Sequence, residues 1–356
     1  MEGQMGRIGA DVKFRDGGCR LAETPIMAAE TLARLGFGGI LVRTIDEAFP
    51  TLDEGDIEAF GRMTDTLGMF VRMGIGKINP YMTAELPRVR ILGEGSYLAG
   101  MQRMIRLCGV RGWTEVWTAV GGFKPDLATP FCFDRFRTDV TWPQQLEATS
   151  AFIEKLAPTL RAEGVRLNIE THEEITTHEL VRLVEDHGSD IVGVCFDPAN
   201  LPVRGEAVLP GARRVAPFVH LTHLRDIIMA RTDAGISRFL MPAGDGQIDW
   251  DALLGVFAAR EDVDLLVEGV GGTRAEMILQ PDDDFWRAAH PDLDADEISE
   301  LTELADRQAE RAAAGIGPDL AALRTNGDVD GEYREFLTRS LAALKLRLHA
   351  VTPLAD

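Results

Sequence analysis

The sequence predicts an α/β chain folded as a (β/α)8 barrel with a C-terminal helical extension, and three observations predict it. Eight short apolar runs, each closing on a polar or glycine-rich stretch, alternate with longer segments of helical period. The glycine-rich turn that a doubly wound nucleotide-binding sheet needs after its first strand is missing. Acidic or imidazole side chains end four successive runs in the second half.

Residues 7–12 (RIGADV) read as the first strand, and 25–36 as a helix whose apolar positions recur at three and four, with Gly36 at its C-cap. The second strand covers 39–43 (GILVR). Thr51 and Glu54 then have capping-box spacing ahead of a helix reaching Leu67. The third and fourth strands are 70–74 and 114–120, with a helix over 96–108 between them. In the second half the strands are 165–170 (VRLNIE), 191–197 (IVGVCFD), 218–223 (FVHLTH) and 264–268 (DLLVE). Helices fit at 144–162, 177–187 and 249–260.

The connections at 76–95 and 121–142 are long, and both leave strand C-termini, the end where a barrel builds its site. Beyond residue 275 the strand signal stops; 281–284 (PDDD) reads as an acidic turn, and 294–313 and 331–349 as helices. The expected domains are therefore a barrel over 1–275 and a helical extension over 276–356.

The 356 residues hold 37 Lys and Arg against 57 Asp and Glu, a net charge of −20. A nucleic acid or an anionic membrane surface needs a basic footprint, so neither is an expected partner. With 45% apolar residues the chain can bury a sizeable core. The first residues carry no apolar signal-peptide core and no segment is long enough to span a bilayer, so the expected location is cytoplasmic. Cys19, Cys108, Cys132 and Cys195 are scattered without a C-x-x-C pair, and are expected to be reduced.

The chemistry lies at the ends of strands five to eight. Glu170 closes one run with His172 two positions on, Asp197 closes the next before Pro198, His223 the next, and Glu268 the last. In a barrel these termini converge on one mouth. Three carboxylates gathered with one imidazole repel one another unless a divalent cation joins them. Mixed oxygen and nitrogen ligands suit Mn²⁺, Mg²⁺, Co²⁺ or Zn²⁺, and the carboxylate majority favours Mn²⁺.

The pattern Glu170-Thr-His172, Asp197-Pro-Ala-Asn200, His223-Leu-Arg-Asp226, the stretch 244–250 (GDGQIDW) and Glu268 resembles the xylose-isomerase-like TIM-barrel superfamily of sugar isomerases and epimerases. The resemblance implies an enzyme whose metal is held by Glu170, Asp197, His223 and Glu268 and whose sugar substrate is chelated through its oxygens. Many relatives carry histidine where this chain has Asn200, which keeps a hydrogen-bond donor but not a second imidazole. Stretches 136–142, 169–176, 196–200 and 222–226 are also similar to the catalytic subunit of bacterial C-glycoside deglycosidases. That narrower resemblance implies lyase-type cleavage of a 3-oxo-C-glucoside by an oligomer that includes a small β-rich partner subunit.

The shared chemistry is proton abstraction beside a carbonyl, for which His172 is the candidate base, with Glu170 or Glu268 serving instead in an epimerase. Asn200, Asp226 and Arg137 are candidates for touching substrate or supporting a ligand, Asp226 either by orienting His223 or by pairing with Arg225. Residues 244–246 read as a strand-to-helix turn, and His220 faces away from His223. Two alternatives remain: a sugar isomerase or epimerase acting on a free ketose or inosose-like substrate, and an abasic-site endonuclease, which the charge disfavours.

Overall fold

The computed structural model describes residues 7–14, 21–124, 126–260 and 262–351. Seven parallel strands follow in order: β1 (Ile8–Val12), β2 (Gly39–Val42), β3 (Phe70–Gly74), β4 (Glu115–Thr118), β5 (Arg166–Glu170), β6 (Val192–Phe196) and β7 (Val219–Thr222). A hairpin of β8 (Asp226–Thr232) and β9 (Gly235–Met241) intervenes before the eighth barrel strand, β10 (Leu265–Val267). β10 pairs with β1, and bridges from Leu221 to Asp264 and from Leu224 to Val267 join it to the β7 side. The predicted (β/α)8 barrel is therefore present.

Two layers of apolar packing hold it. Leu41, Trp117, Cys195, Leu221 and Leu266 fill the barrel interior, with Phe70 against them. The Phe70 ring lies over Gly39 so closely that a Cβ there would sit 2.3 Å from it, which explains a glycine at the start of this strand. The opposite strand faces pack on the helices, the larger of the two cores.

Of the two helix-end signals read from the sequence, one holds and one is displaced. Gly36 ends the helix Pro25–Leu35 at φ 91°, its N–H returned to Ala33 and Leu32. Thr176 and Glu179 form a capping box on Thr177–His187, as Thr141 and Gln144 do on Trp142–Glu163. The predicted cap at Thr51 is displaced: helix Glu54–Thr66 is capped by Asp53, whose carboxylate accepts from the Asp56 N–H. The 76–95 connection carries structure of its own, a 3₁₀ turn at Pro80–Glu85 and a helix at Pro87–Leu92.

The strand signal does not stop at residue 275. β11 (Met277–Leu279) pairs antiparallel with β9 and extends the hairpin to three strands. Asp226 fastens this sheet to the barrel. Its carboxylate accepts from the backbone N–H of Ile227, Ile248 and Gly244 and from Trp250 Nε1 at 2.6 Å. The 244–246 stretch is thus a turn gathered around Asp226. Replacing Trp250 by Phe removes one charge-assisted bond from a buried acceptor and is expected to cost about 1.5–3 kcal/mol, read from the shift in denaturant midpoint. An unchanged midpoint would contradict this role.

The C-terminal helices Ala295–Ala313 and Val329–Val351 cover the hairpin and the barrel. Leu337, Leu341 and Leu344 belong to the main buried cluster, and Tyr333 Oη donates to the Asp11 carbonyl at 3.2 Å. Cys108, Cys132 and Cys195 are free and buried, and Cys19 lies outside the described residues. No helix among the described residues is long and apolar enough to cross a membrane.

Candidate metal centre

β5, β6, β7 and β10 end at one rim, and there Glu170, Asp197, His223 and Glu268 come together. One ligand atom from each lies within 4.8 Å of all the others, and all four side chains are buried. His223 Nδ1 is 2.9 Å from Glu170 Oε1 and 3.5 Å from Glu268 Oε2. His223 Nε2 and Glu268 Oε2 find no hydrogen-bond partner among the described residues. Buried polar atoms without a hydrogen bond cost free energy that a bound cation can recover. The donor set therefore fits a divalent metal.

Electrostatics agree. Burial raises the Asp197 pKa to about 6 against the pull of Arg225, with Glu268 and Glu170 adding to the rise. Burial also works to raise Glu170 and Glu268. His223, His172 and Arg43 nevertheless hold Glu170 low, and Arg225, Arg43 and Lys13 hold Glu268 low. Asp197 is thus the carboxylate of the three that burial and its acidic neighbours leave short of positive charge.

Several supports were not anticipated. Arg225 is buried and reaches Asp197, Asn200 Oδ1 at 3.2 Å and Glu268 Oε2 at 3.2 Å; it makes no surface pair with Asp226. Arg43, at the end of β2, bridges Asp11 and Glu268 (2.7 Å) and stacks on Trp117. Lys13 donates to Glu268 Oε1 at 2.9 Å. Trp117 Nε1 donates to Glu170 Oε2 at 3.0 Å. The signal that found the ligands, a polar residue closing an apolar strand, was equally present at Lys13 and Arg43 in the first half. Trp117 orients a ligand carboxylate, so Trp117→Phe is expected to weaken metal binding about 10–100-fold in a calorimetric titration; unchanged affinity would remove that role.

The remaining candidates fall in different places. Asn200 is buried and donates to Asp197 Oδ2 at 3.0 Å. Asp226 does not orient His223, because its oxygens are taken by the 244–250 turn. Arg137 pairs with Asp139 and donates to the Tyr81 carbonyl at 3.0 Å, tying the two long connections together at the surface. His220 faces the other end of the barrel, beside Arg166 and Asp262.

His172 lines a cavity of about 610 Å³ above the cluster. Its Nδ1 meets Glu174 and its Nε2 lies 3.3 Å from Glu173 Oε2. Glu174 also accepts the Gly121 N–H, and Glu173 is braced by the buried Arg238 at 3.1 Å. Burial disfavours the charged imidazole, but Glu174 and Glu173 outweigh it and lift the His172 pKa from 6.5 to about 9. A ring with carboxylates at both nitrogens is a double donor, hence imidazolium near neutrality.

Residues 29–272 match the model of the xylose isomerase-like TIM barrel. A curated relative, 3-oxo-isoapionate decarboxylase of Pectobacterium atrosepticum, is 28% identical over 113 residues, which is 31% of this chain and 41% of the relative. The matches span less than half the length of the curated relatives concerned. Among solved structures, D-psicose 3-epimerase from Clostridium cellulolyticum is similar with a TM-score of 0.56 at 14% identity, covering 95% of this chain and 99% of that one. The 3-keto-D-glucoside 4-epimerase YcjR of E. coli is similar with a TM-score of 0.52 at 13% identity, covering 83% and 99%.

Proposed function

The chain belongs to the xylose isomerase-like TIM barrel family, and from that premise we propose a metal-dependent enzyme that abstracts a proton beside the carbonyl of a keto-sugar. One observation carries the reading: the four buried ligand atoms, all within 4.8 Å of one another, beneath a cavity open to substrate. Glu170, Asp197, His223 and Glu268 would hold the ion, with Mn²⁺ preferred over Mg²⁺, Co²⁺ or Zn²⁺ because carboxylates outnumber imidazole. When bound, the ion acts as a Lewis acid that stabilises negative charge on an enediolate oxygen.

The protein supplies the rest. A carboxylate of the cluster, Glu170 or Glu268, receives the carbon-bound proton next to the carbonyl. His172, resting as imidazolium on the wall of the same cavity, donates a proton. Asn200 and Arg225 hold Asp197 in place. For a 3-oxo-C-glucoside the balanced outcome is elimination. The proton leaves the carbon between the carbonyl and the glycosidic carbon, the carbon–carbon bond to the aglycone breaks, and His172 protonates the departing aglycone. A cavity of about 610 Å³ has room for a glycoside as well as for a free sugar. A small β-rich partner subunit, oligomeric assembly and a cytoplasmic setting complete the glycoside reading, and co-purification of a second chain from the native source tests the first.

The decisive assay is deuterium exchange. Metal-loaded protein in D₂O should label 3-keto-D-glucose at a carbon beside the carbonyl, as followed by NMR, and a chelator should stop it. A 3-oxo-C-glucoside with an aromatic aglycone should then release free aglycone. Labelling of neither 3-keto-D-glucose nor D-fructose would overturn the proposal.

A further inference from the structure

We propose that Arg238 is a positioning residue for His172. Through Glu173 it fixes the imidazole at the wall of the cavity, so the sheet inserted between the seventh and eighth barrel strands belongs to the active site. This rests on the proton-donor role given to His172 above.

Side chains alternate across β9, with Ser237 and Phe239 on one face and Arg238 and Leu240 on the other. The register carries each face across the sheet. Ile228 lies opposite Phe239 and Ala230 opposite Ser237, whereas Met229 of β8 and Met277 of β11 flank Arg238. On the first face Ile228, Ala230 and Phe239 pack against Leu323 of the C-terminal extension. The second face turns to the barrel mouth, where Leu240 and Met277 line the same cavity as His172 and Glu173. The extension backs the sheet, and the sheet carries Arg238 inward.

Arg238 is wholly buried. Its Nη1 donates to the Ala275 carbonyl at 3.2 Å and its Nη2 to Glu173 Oε1 at 3.1 Å, while Nε has no partner among the described residues. A buried ion pair adds little net stability, because desolvation offsets the attraction; what it supplies here is a fixed geometry. With Oε1 held by Arg238, Glu173 Oε2 lies 3.3 Å from His172 Nε2, and Glu174 meets Nδ1 on the other side of the ring. Glu174 is itself anchored by the Gly121 N–H, just beyond β4. The ring is thus set between one carboxylate anchored on the barrel and one anchored on the inserted sheet. Without the second it is free to pivot on Nδ1.

The first test follows release of free aglycone from an aryl 3-oxo-C-glucoside by metal-loaded protein. Arg238→Met should lower kcat about 10–100-fold, as a misplacement of about 1 Å does, with KM and metal content held. Arg238 meets Glu173 through a single nitrogen, so Arg238→Lys should recover most of the rate, a rescue that lost packing alone would not give. Because Arg238→Met leaves a buried carboxylate unpaired, Arg238→Met/Glu173→Gln removes both charges; it should unfold near the wild-type midpoint and still turn over slowly. The second test needs no substrate. In NMR of protein carrying ¹⁵N-labelled histidine, the His172 Nε2 resonance should shift more than the Nδ1 resonance in Arg238→Met, and should return in Arg238→Lys. A wild-type kcat in either folded Met variant, or an Nε2 resonance that stays in place, overturns the proposal. Wild-type protein that releases no aglycone removes the parent reading instead, and the Nε2 resonance alone then decides the positioning.

Discussion

Replacing Asp197 by Asn is expected to empty the metal centre and to lower turnover by about 10³-fold, several kcal/mol of lost charge stabilisation at tenfold per 1.36 kcal/mol. Both carboxylate oxygens are already acceptors. Oδ1 takes the Ala199 N–H at 2.9 Å, and Oδ2 takes Asn200 Nδ2 at 3.0 Å and Arg225. Whichever way an amide is turned, its NH₂ faces a donor, so the substitution also costs about 1–3 kcal/mol of stability. Glu268→Gln is the gentler companion. Lys13 and Arg43 hold Oε1 and Arg225 lies 3.2 Å from Oε2, and an amide there keeps the volume but not the charge. Metal content by mass spectrometry and an unfolding midpoint are read together for both. Either variant keeping about one ion per chain at wild-type affinity would contradict its place as a ligand.

His172→Ala is expected to keep the metal and lose turnover by about 10²–10⁴-fold, the usual worth of a positioned proton-transfer group. His172 contacts Glu173 and Glu174, and its removal leaves the four ligands their own supports. The pH dependence follows in sign. A folded pKa of about 9 lies above the ordinary 6.5, so the imidazolium is the resting form below about 9 and its proton is lost as pH rises through that value. Turnover that uses this proton therefore declines on the alkaline side near pH 9. The stabilisation from the Glu173 and Glu174 contacts is full below 6.5 and fades over the same rise. Glu174→Gln should move the alkaline limb to lower pH. A His172→Ala variant at wild-type rate, or a limb that stays put in Glu174→Gln, would remove this role.

The barrel and the gathering of Glu170, Asp197, His223 and Glu268 were legible because both rest on one rule: parallel strands are apolar throughout and keep their chemistry at the C-terminal rim. The hairpin was not. Its runs, residues 227–230 and 236–241 around Gly235, carry strand character, but a (β/α)8 count reserves no place for antiparallel strands between the seventh and eighth. For Asp226 the sequence left open orienting His223 or pairing with Arg225, and the fold uses it for neither. Successive side chains of an extended segment point to opposite sides, and here one enters the metal centre while the other gathers the 244–250 turn. For His172, proximity to neutral pH suggested a base; the neighbours Glu173 and Glu174 were visible in sequence, but only the fold folds both back onto the ring.

The metal centre is tested most directly by a crystal structure of Mn²⁺-loaded protein with anomalous data at the manganese edge. One ion coordinated by Glu170, Asp197, His223 and Glu268, with His223 and Glu268 Oε2 turned onto it, is the result expected. A structure without ordered manganese at these residues, Arg225 still bridging Asp197 and Glu268, would contradict it.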